Sequence, residues 1–281
     1  MKENLGIEEK KVIIITEYAF EDQNSTGYYW SKIINKTCSD HKNTTVICRK
    51  PNNIEKSNSD ANYKYIPIQP YELKGITKRI FSQIKIAFNT AEKTYRSTKK
   101  GDIVFTGTNP IIFTCLVPIL KKIIRFKWIL IVHDLFPNYL KPYKIINNNF
   151  AYAILENLSN LIYKNADHII VIGRDMQSVL DKRKINIKYM TVIQNWANTD
   201  EIHTQEKDQN PIIKKLKWEN FIVFGFFGNI GNLQGINNIL ETVKLVTHKE
   251  AAFLFIGTGN LTSNVQDFIN THPDINIKYY G

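Results

Sequence analysis

The chain has 281 residues, which is enough for two domains of ordinary size. Its 43% apolar and 22% charged residues are the balance of a globular protein and exclude disordered and fibrous classes. The formal net charge of +11 favours an anionic partner, and charge alone does not choose among nucleic acid, an anionic bilayer and a phosphate-bearing small molecule.

Motifs for metal binding, disulfide bonding and secretion are missing from the sequence. The three cysteines lie far apart, and the six histidines have no HxxxH or HExxH spacing. The N-terminus is too charged for a signal peptide, and the longest apolar stretch, Pro110 to Leu120, is well short of the roughly 20 residues that span a bilayer. We therefore expect a cytoplasmic protein without a metal or cofactor, and peripheral contact with the inner membrane stays open.

Short β-branched runs alternate with segments of helical period, which is typical of βαβ units and a parallel sheet. The predicted strands of the first series are Val12–Thr16, Thr45–Arg49, Tyr63–Ile68, Asp102–Thr106, Trp128–His133, His168–Ile172 and Met190–Gln194. The predicted helices lie near Gly27–Thr37, Leu73–Thr98, Pro110–Ile124, Asn149–Tyr163 and Arg174–Asp181. These elements predict a complete doubly wound α/β domain over residues 1–195.

A polar stretch after Asn195 predicts a surface connection and a domain boundary. The predicted elements beyond it are strand Phe221–Phe227, helix Gln234–Thr247, strand Phe253–Ile256, helix Leu261–Asn270 and strand Asn276–Tyr280. Three strands and two helices bury little apolar surface. Residues 196–281 are therefore predicted to form an incomplete second Rossmann-like domain.

The predicted helix near Leu73–Thr98 is basic and amphipathic. Its apolar residues at helical spacing are Ile76, Ile80, Ile84, Phe88, Ala91 and Tyr95, with Lys and Arg among them. Such a helix either packs on a core or lies on a membrane surface, and core packing is the commoner outcome.

Ligands of open α/β sheets bind at the carboxyl ends of the strands, so the loops there are the candidate sites. The loop after the first strand opens a helix around Ser25, Thr26 and Gly27. Backbone N–H groups at that point predict contact with an anion or a sugar hydroxyl, and a simple N-cap at Ser25 or Thr26 is an equal alternative. The loop lacks the GxGxxG pattern of dinucleotide-binding proteins.

His133 and Asp134 follow a strongly apolar strand. A His and an Asp at that position are suited to orienting hydroxyl groups or polarising a leaving group, so both are predicted as catalytic residues. The alternative is an Asp that caps the next turn beside a structural His.

Two glycine-rich loops follow strands of the second domain. Small residues let backbone amides approach a diphosphate, whose charge a helix N-terminus favours. The alternative is a tight turn that needs positive φ at one or two glycines. The donor-binding candidates in these loops are Gly228, Asn229, Gly231, Gln234, Gly235, Gly257 and Gly259.

Four motifs occur in a fixed order: His133–Pro137 (HDLFP), Ala166–Gly173 (ADHIIVIG), Ile193–Trp196 (IQNW) and Gly228–Gly235 (GNIGNLQG). In order and spacing the chain resembles the retaining GT-B glycosyltransferases of family 4, most closely the branch that builds bacterial capsule and O-antigen polysaccharides. The resemblance adds Asn195, in the third motif, to the donor-binding candidates.

The resemblance implies a GT-B-like fold of two Rossmann-like domains. The N-terminal domain would take a lipid-linked or growing glycan acceptor, and the C-terminal domain a UDP-linked sugar, with transfer in the cleft between them. His133 would lie near the donor sugar, and the reaction would need no metal. The sequence itself has no helix-turn-helix, RNP or zinc-finger pattern, so we expect no nucleic-acid partner. The glycine loop and a helix N-terminus would stabilise the leaving diphosphate.

The sequence departs from this family in two respects. Asn229 and Gln234 stand where many members have Arg and Lys. The acidic segment that contacts the nucleotide ribose and sugar would lie beyond Gly281, so we expect a C-terminally truncated chain. The alternative function is therefore an inactive nucleotide-sugar-binding remnant, or one subunit of a split glycosyltransferase.

Overall fold

The computed structural model describes residues 10–20, 24–49, 63–68, 76–140, 148–200 and 202–281, without the side chains of residues 76–80 and 139. The chain divides into two compact units, Met1–Trp196 and Ala197–Gly281, which we call the first and second unit. The division falls one residue beyond the predicted boundary.

The first unit contains a parallel sheet of seven strands in the order β3-β2-β1-β4-β5-β6-β7. The strands are β1 (Val12–Ile15), β2 (Thr44–Arg49), β3 (Lys64–Ile68), β4 (Ile103–Gly107), β5 (Lys127–Val132), β6 (His168–Val171) and β7 (Met190–Val192). The helices are α1 (Ser25–Asp40), α2 (Ile76–Ser97), α3 (Ile111–Ile124), α4 (Asn149–Asn165) and α5 (Arg174–Lys182). Short 3-10 helices lie at Asn138–Leu140 and Ile187–Tyr189.

Helices cover both faces of this sheet, as in doubly wound folds. On one face, Val12 and Ile14 of β1 pack with Trp30 and Ile34 of α1. The alternate β1 residues belong to a second core, to which α2, α3, α4 and α5 all contribute. The prediction of an α/β fold is confirmed.

Helix α2 departs from its predicted orientation. Its buried side is largely polar and includes Ser82, Thr90 and Thr94, whereas Phe88 and Tyr95 of the predicted apolar face are 62% and 58% exposed. The prediction that this face packs on the core is therefore wrong for Phe88 and Tyr95. Residues 73–75 of the predicted helix, and the side chains of Ile76 and Ile80, lie outside the described part of the chain.

The second unit contains a parallel sheet of three strands in the order β10-β9-β8. Its elements are α6 (Pro211–Leu216), β8 (Ile222–Phe227), α7 (Ile236–Leu245), β9 (Ala251–Ile256), α8 (Thr262–Thr271) and β10 (Ile277–Tyr280), with 3-10 helices at Lys207–Gln209 and Asn232–Gln234. Helices α7 and α8 cover one face of the sheet, and α6 covers the other.

The sequence prediction missed α6. Its signal is present, because Asn210 accepts hydrogen bonds from the N–H groups of Ile212 and Ile213, and Pro211 occupies the first helical position. The helix has six residues, too few for a periodic apolar pattern to stand out. Ile213 and Trp218 bury this segment against the sheet.

Candidate functional site

His133 lies at the carboxyl end of β5, between β4 and β6. Its imidazole ring is edge-on to the indole of Trp30, with 6.3 Å between the ring centroids. Nε2 of His133 is buried and has no hydrogen-bond partner among the described residues. A buried polar atom without a partner costs free energy that a bound ligand can recover, which makes His133 a candidate ligand contact. The adjacent Asp134 is exposed.

Burial lowers the pKa of the His133 imidazole below its ordinary value of 6.5, and the Asp134 carboxylate opposes this shift only in part. The ring is therefore neutral at neutral pH. A neutral imidazole has one nitrogen that donates a hydrogen bond and one that accepts. This suits His133 to contact a sugar hydroxyl better than to neutralise a phosphate.

The loop after β5 is fixed by Arg183, which follows α5. The Arg183 side chain is only 7% exposed. Its Nη1 donates to the carbonyl of Phe136 at 3.1 Å and to Oδ1 of Asn138 at 3.3 Å. Its Nη2 donates to the carbonyl of Glu156 at 3.2 Å and to Oγ of Ser159. Arg183 thus ties the loop that carries His133 to α4.

The predicted acceptor residues Ser25, Thr26 and Gly27 form the first turn of α1. The N-cap is Asn24, whose Oδ1 accepts from the N–H of Gly27 at 2.8 Å, so the predicted cap at Ser25 or Thr26 is wrong. One turn further on, Trp30 contacts His133. The start of α1 and the end of β5 are therefore joined through one buried indole.

Glu17 and Arg49 lie at the carboxyl ends of β1 and β2. The backbone N–H of Arg49 donates to the carbonyl of Glu17 at 3.1 Å, and the two charged groups are 3.9 Å apart. Burial raises the pKa of the Glu17 carboxyl above its usual range, against the opposing effects of a hydrogen bond from Tyr18 and the charge of Arg49. A carboxyl group with a raised pKa stands at the same edge of the sheet as His133.

In the second unit, the loops after β8 and β9 lie against each other. The N–H of Gly228 donates to the carbonyl of Ile256 at 3.0 Å, and the N–H of Ile230 donates to the carbonyl of Thr258 at 2.9 Å. The N–H of Leu261 returns a bond to the carbonyl of Ile230 at 3.0 Å. The two glycine loops are joined by backbone bonds.

Glycine is required at two of these positions by close backbone approach. Gly257 has φ +134°, and a Cβ added there would overlap the carbonyl oxygen of Gly228. A Cβ added at Gly259 would overlap the carbonyl oxygen of Ile230. The two loops can therefore cross at this distance only if positions 257 and 259 carry no side chain.

Three side-chain amides surround Gly231. A Cβ at Gly231 would lie 2.8 Å from Nδ2 of Asn229, 3.0 Å from Oε1 of Gln234 and 3.3 Å from Oδ1 of Asn260. Gly235, with φ +65°, is the N-cap of α7 and supplies no side chain to cap it. The first-turn N–H groups of α7 have no carbonyl partner within the helix, so this loop ends in backbone donors.

Asn195 belongs to a different unit from the other donor-binding candidates. It is exposed and follows β7, within the first unit, whereas the glycine loops belong to the second. Its neighbour Trp196 packs edge-on against Tyr29 of α1, with 5.2 Å between ring centroids.

Within the described ranges, no group of three or more His, Cys, Asp or Glu side chains is arranged to hold a metal ion. The helices there include none that is both long and apolar enough to cross a bilayer.

Solved structures define the class of this fold. HepE of Anabaena, crystallised with UDP, matches with a TM-score of 0.63 and 11% identity over 96% of this chain and 69% of its own. WaaG, a glycosyltransferase involved in lipopolysaccharide biosynthesis, matches with a TM-score of 0.59 and 8% identity over 96% of this chain and 69% of its own. The fold is that of the GT-B glycosyltransferases, as predicted.

A curated relative shows the family. The chain is 35% identical over 278 residues to the "Probable glycosyltransferase WbjE" of Pseudomonas aeruginosa, covering 96% of this chain and 68% of the relative. No family model matches the chain. The protein belongs to the glycosyltransferase family that includes WbjE, and the alternative of an inactive remnant is not favoured.

The sequence prediction missed several residues of the site. Arg183 was visible only as part of a run of basic residues, and Trp30 only as one apolar position of a helix. Their burial depends on neighbours far along the chain. Asn260 was detectable, because it follows Gly259 directly.

Proposed function

We propose that this protein transfers a sugar, with retention of configuration, from a UDP-linked donor to a lipid-linked or growing glycan acceptor. The reaction would serve cell-surface polysaccharide biosynthesis, of the capsule or O-antigen kind, in family 4. It would proceed without a metal, at the cytosolic face of the inner membrane.

The crossing of the two glycine loops in the second unit carries the donor part of this proposal. Gly228 and Gly257 bring two backbones together, and the loop that starts at Gly228 ends at Gly235, the N-cap of α7. The first-turn N–H groups of α7 and its helix dipole favour a diphosphate at that helix start. HepE, a protein of the same fold, has been crystallised with UDP and with UDP-glucose, which supports a donor of this class.

His133 is the proposed contact to the donor sugar. Its neutral ring, with Nε2 unpaired among the described residues, can donate to or accept from one sugar hydroxyl. Asp134 is the proposed partner that orients a second hydroxyl. Arg183 is the proposed positioning residue, because its guanidinium donates to the carbonyls of Phe136 and Glu156 and so holds the loop.

The similarity in fold to WaaG, a glycosyltransferase involved in lipopolysaccharide biosynthesis, supports the proposed acceptor class. The first turn of α1, at Ser25, Thr26 and Gly27, is the proposed acceptor contact because it lies one helical turn from the indole that touches His133. We add Glu17 to this group as a candidate proton acceptor. Burial raises the pKa of its carboxyl group, which makes the carboxylate a stronger base.

Titration calorimetry with UDP tests the donor loops. Asn229→Asp is isosteric and adds one negative charge beside the proposed diphosphate, so we expect UDP affinity to fall about tenfold or more. Asn229→Arg, which restores the residue common in the family, should raise it. Asn270→Asp, the same change at an exposed position of α8, is the matched control and should have no effect. Equal losses in both Asp variants would reject the loop as the phosphate site.

Turnover of UDP-sugars tests the chemistry. We expect the release of UDP to require an acceptor, to persist in EDTA, and to fall about a hundredfold in His133→Ala while UDP binding stays intact. The configuration at the anomeric carbon of the product, read by proton NMR, tests retention. Inverted product, or turnover that depends on a divalent cation, would contradict the proposed mechanism.

A further inference from the structure

Trp30 of α1 is buried beside the residue that is proposed to contact the donor sugar. Its side chain is 1% exposed, and it belongs to a core that also contains Ile131 of β5. Side chains alternate between the two faces of a strand, so His133 follows Ile131 on the side that α1 covers. The 6.3 Å between the ring centroids of Trp30 and His133 agrees with this placement.

The last residue of β4, Gly107, leaves room for the indole. Gly107 pairs with Ile131 in the parallel sheet. A Cβ added at Gly107 would lie 3.3 Å from Cζ2 of Trp30, which is closer than an ordinary van der Waals contact. The indole therefore packs directly on the backbone of β4, at a position where any other residue would crowd it.

The Nε2 atom of His133 is not held by a hydrogen bond within the described part of the chain. Functional histidines are commonly oriented by a carboxylate or a backbone carbonyl that accepts from one ring nitrogen. Here the imidazole packs against an indole instead, with the two ring planes inclined at 67°. An edge-to-face arrangement of this kind is one that aromatic pairs prefer. Packing can therefore fix the ring where a hydrogen bond does so in other sites.

We propose that Trp30 is a second positioning residue of the candidate site. Arg183 holds the loop that carries His133, and Trp30 holds the imidazole at the angle at which it meets a hydroxyl of the donor sugar. The indole also keeps water from the imidazole, in agreement with the lowered pKa of His133. This inference deepens the proposed function and rests on it, because it starts from the contact between His133 and the donor sugar.

NMR titration of His133 tests the contact in the whole chain without any substrate. Trp30→Leu removes the aromatic ring and admits water, so the pKa of His133 should rise toward its ordinary value and the ring-current shifts of its carbon-bound protons should disappear. Trp30→Phe keeps an aromatic ring and should retain most of both properties. The matched control is Ile34→Ala, which removes a buried side chain from the same helix and the same core. It should leave the titration of His133 unchanged.

Gly107→Ala is a variant that keeps the indole and displaces it. The added methyl group meets Cζ2 of Trp30 at 3.3 Å, so the ring must move by a few tenths of an ångström. We expect the NMR signals of His133 to shift and kcat to fall about threefold, while circular dichroism shows a folded chain. This variant decides the question if Trp30→Leu does not fold. Unchanged signals of His133 in folded Gly107→Ala would overturn the proposal.

Steady-state transfer from a UDP-sugar tests the consequence for the reaction. Trp30→Leu should lower kcat about tenfold, because a misoriented imidazole meets the sugar poorly. The KM for the donor and the affinity for UDP should change by less than about threefold. Trp30→Phe should recover most of the lost kcat. The matched control, Ile34→Ala, should keep the kcat of the wild type while it remains folded.

The double variant of Trp30→Leu and His133→Ala separates positioning from a general structural role. It should be no slower than His133→Ala alone, because Trp30 acts through the imidazole. Losses that multiply in the double variant, or a titration of His133 that Trp30→Leu leaves unchanged, would overturn the proposal. A failure of the proposed function gives a different result: His133→Ala then leaves transfer unchanged, while the titration of His133 still responds to Trp30→Leu.

Discussion

The first strands of the two units have similar apolar sequences and different surroundings. Strand β1 pairs with β2 on one side and β4 on the other, and Ile14 is fully buried. Strand β8 pairs, among the described residues, with β9 alone, and Phe224 and Phe227 are 54% and 70% exposed. An apolar strand sequence thus predicts a strand, while its neighbours decide how much of it is buried.

The candidate loops of the two units are also held differently. In the first unit, a buried side chain, Arg183, fixes the loop that carries His133. In the second unit, the backbones around Gly228 and Gly257 fix each other. The loop of the first unit depends on a guanidinium group, whereas the loops of the second unit depend on glycine where the backbones meet. Different substitutions should therefore disrupt the loops of the two units.

The largest expected effect contrasts the two strands. Ile14→Ala should destabilise the chain by about 3 to 4 kcal/mol, because it leaves a cavity at a site with no access to solvent. Phe224→Ala removes a larger side chain but should cost no more than about 1.5 kcal/mol, because half of the ring is already in water. Urea unfolding followed by circular dichroism measures both. Equal costs would show that Phe224 is buried in solution.

The loop of the first unit should be sensitive to loss of the guanidinium. Arg183→Met should cost about 2 to 3 kcal/mol, because the carbonyls of Phe136 and Glu156 lose a charged donor. Lys182→Met, an exposed neighbour, should stay within about 0.5 kcal/mol of the wild type. NMR titration of His133 gives a second readout, since a loosened loop admits water and raises its pKa toward the ordinary value. If the pKa of His133 is the same in Arg183→Met as in the wild type, Arg183 does not position the loop that carries His133.

The glycine loops should respond to a single methyl group. Gly257→Ala should cost about 2 kcal/mol in thermal or urea unfolding, because it combines a strained φ with overlap on backbone atoms of Gly228. Gly107→Ala at the end of β4 meets only the Trp30 ring, at 3.3 Å, and should cost less. If Gly107→Ala lowered the free energy of unfolding more than Gly257→Ala, the indole of Trp30 would be the more rigid neighbour.

The smallest effect is a pH dependence in the first unit. His133 has a lowered pKa when folded, so between that pKa and 6.5 the unfolded chain binds the proton and the folded chain does not. Stability should therefore fall as the pH falls through this window and level off below it. His133→Gln should remove this contribution. Equal slopes of unfolding free energy against pH in both proteins would contradict the assigned cause.

The sequence predicts the positions of the helices and strands well. It predicts poorly which of their sides are buried. The ends of the predicted strands lie within two residues of the observed ends, because β-branched runs and turn residues are local signals. The outward direction of Phe88 and Tyr95 was missed, because the spacing of apolar residues indicates a stripe on α2 without indicating which side meets the sheet.

Some residues of the candidate site can also be predicted from the sequence, and others cannot. The glycine loops and His133 are recognisable, because strand-end position and residue type are both visible in the sequence. The role of Arg183 is not, because its contacts to Phe136 and Glu156 lie 47 and 27 residues away along the chain. Long-range contacts of this kind carry no local signal.

The contact between Trp30 and His133 gives the protein an optical reporter at its own candidate site. A protonated imidazole quenches indole emission more strongly than a neutral one, and the two rings are 6.3 Å apart. With Trp128, Trp196 and Trp218 replaced by Phe, the fluorescence of Trp30 would follow both the charge of His133 and the arrival of any ligand that touches it. Occupancy and protonation could then be followed in real time without a label.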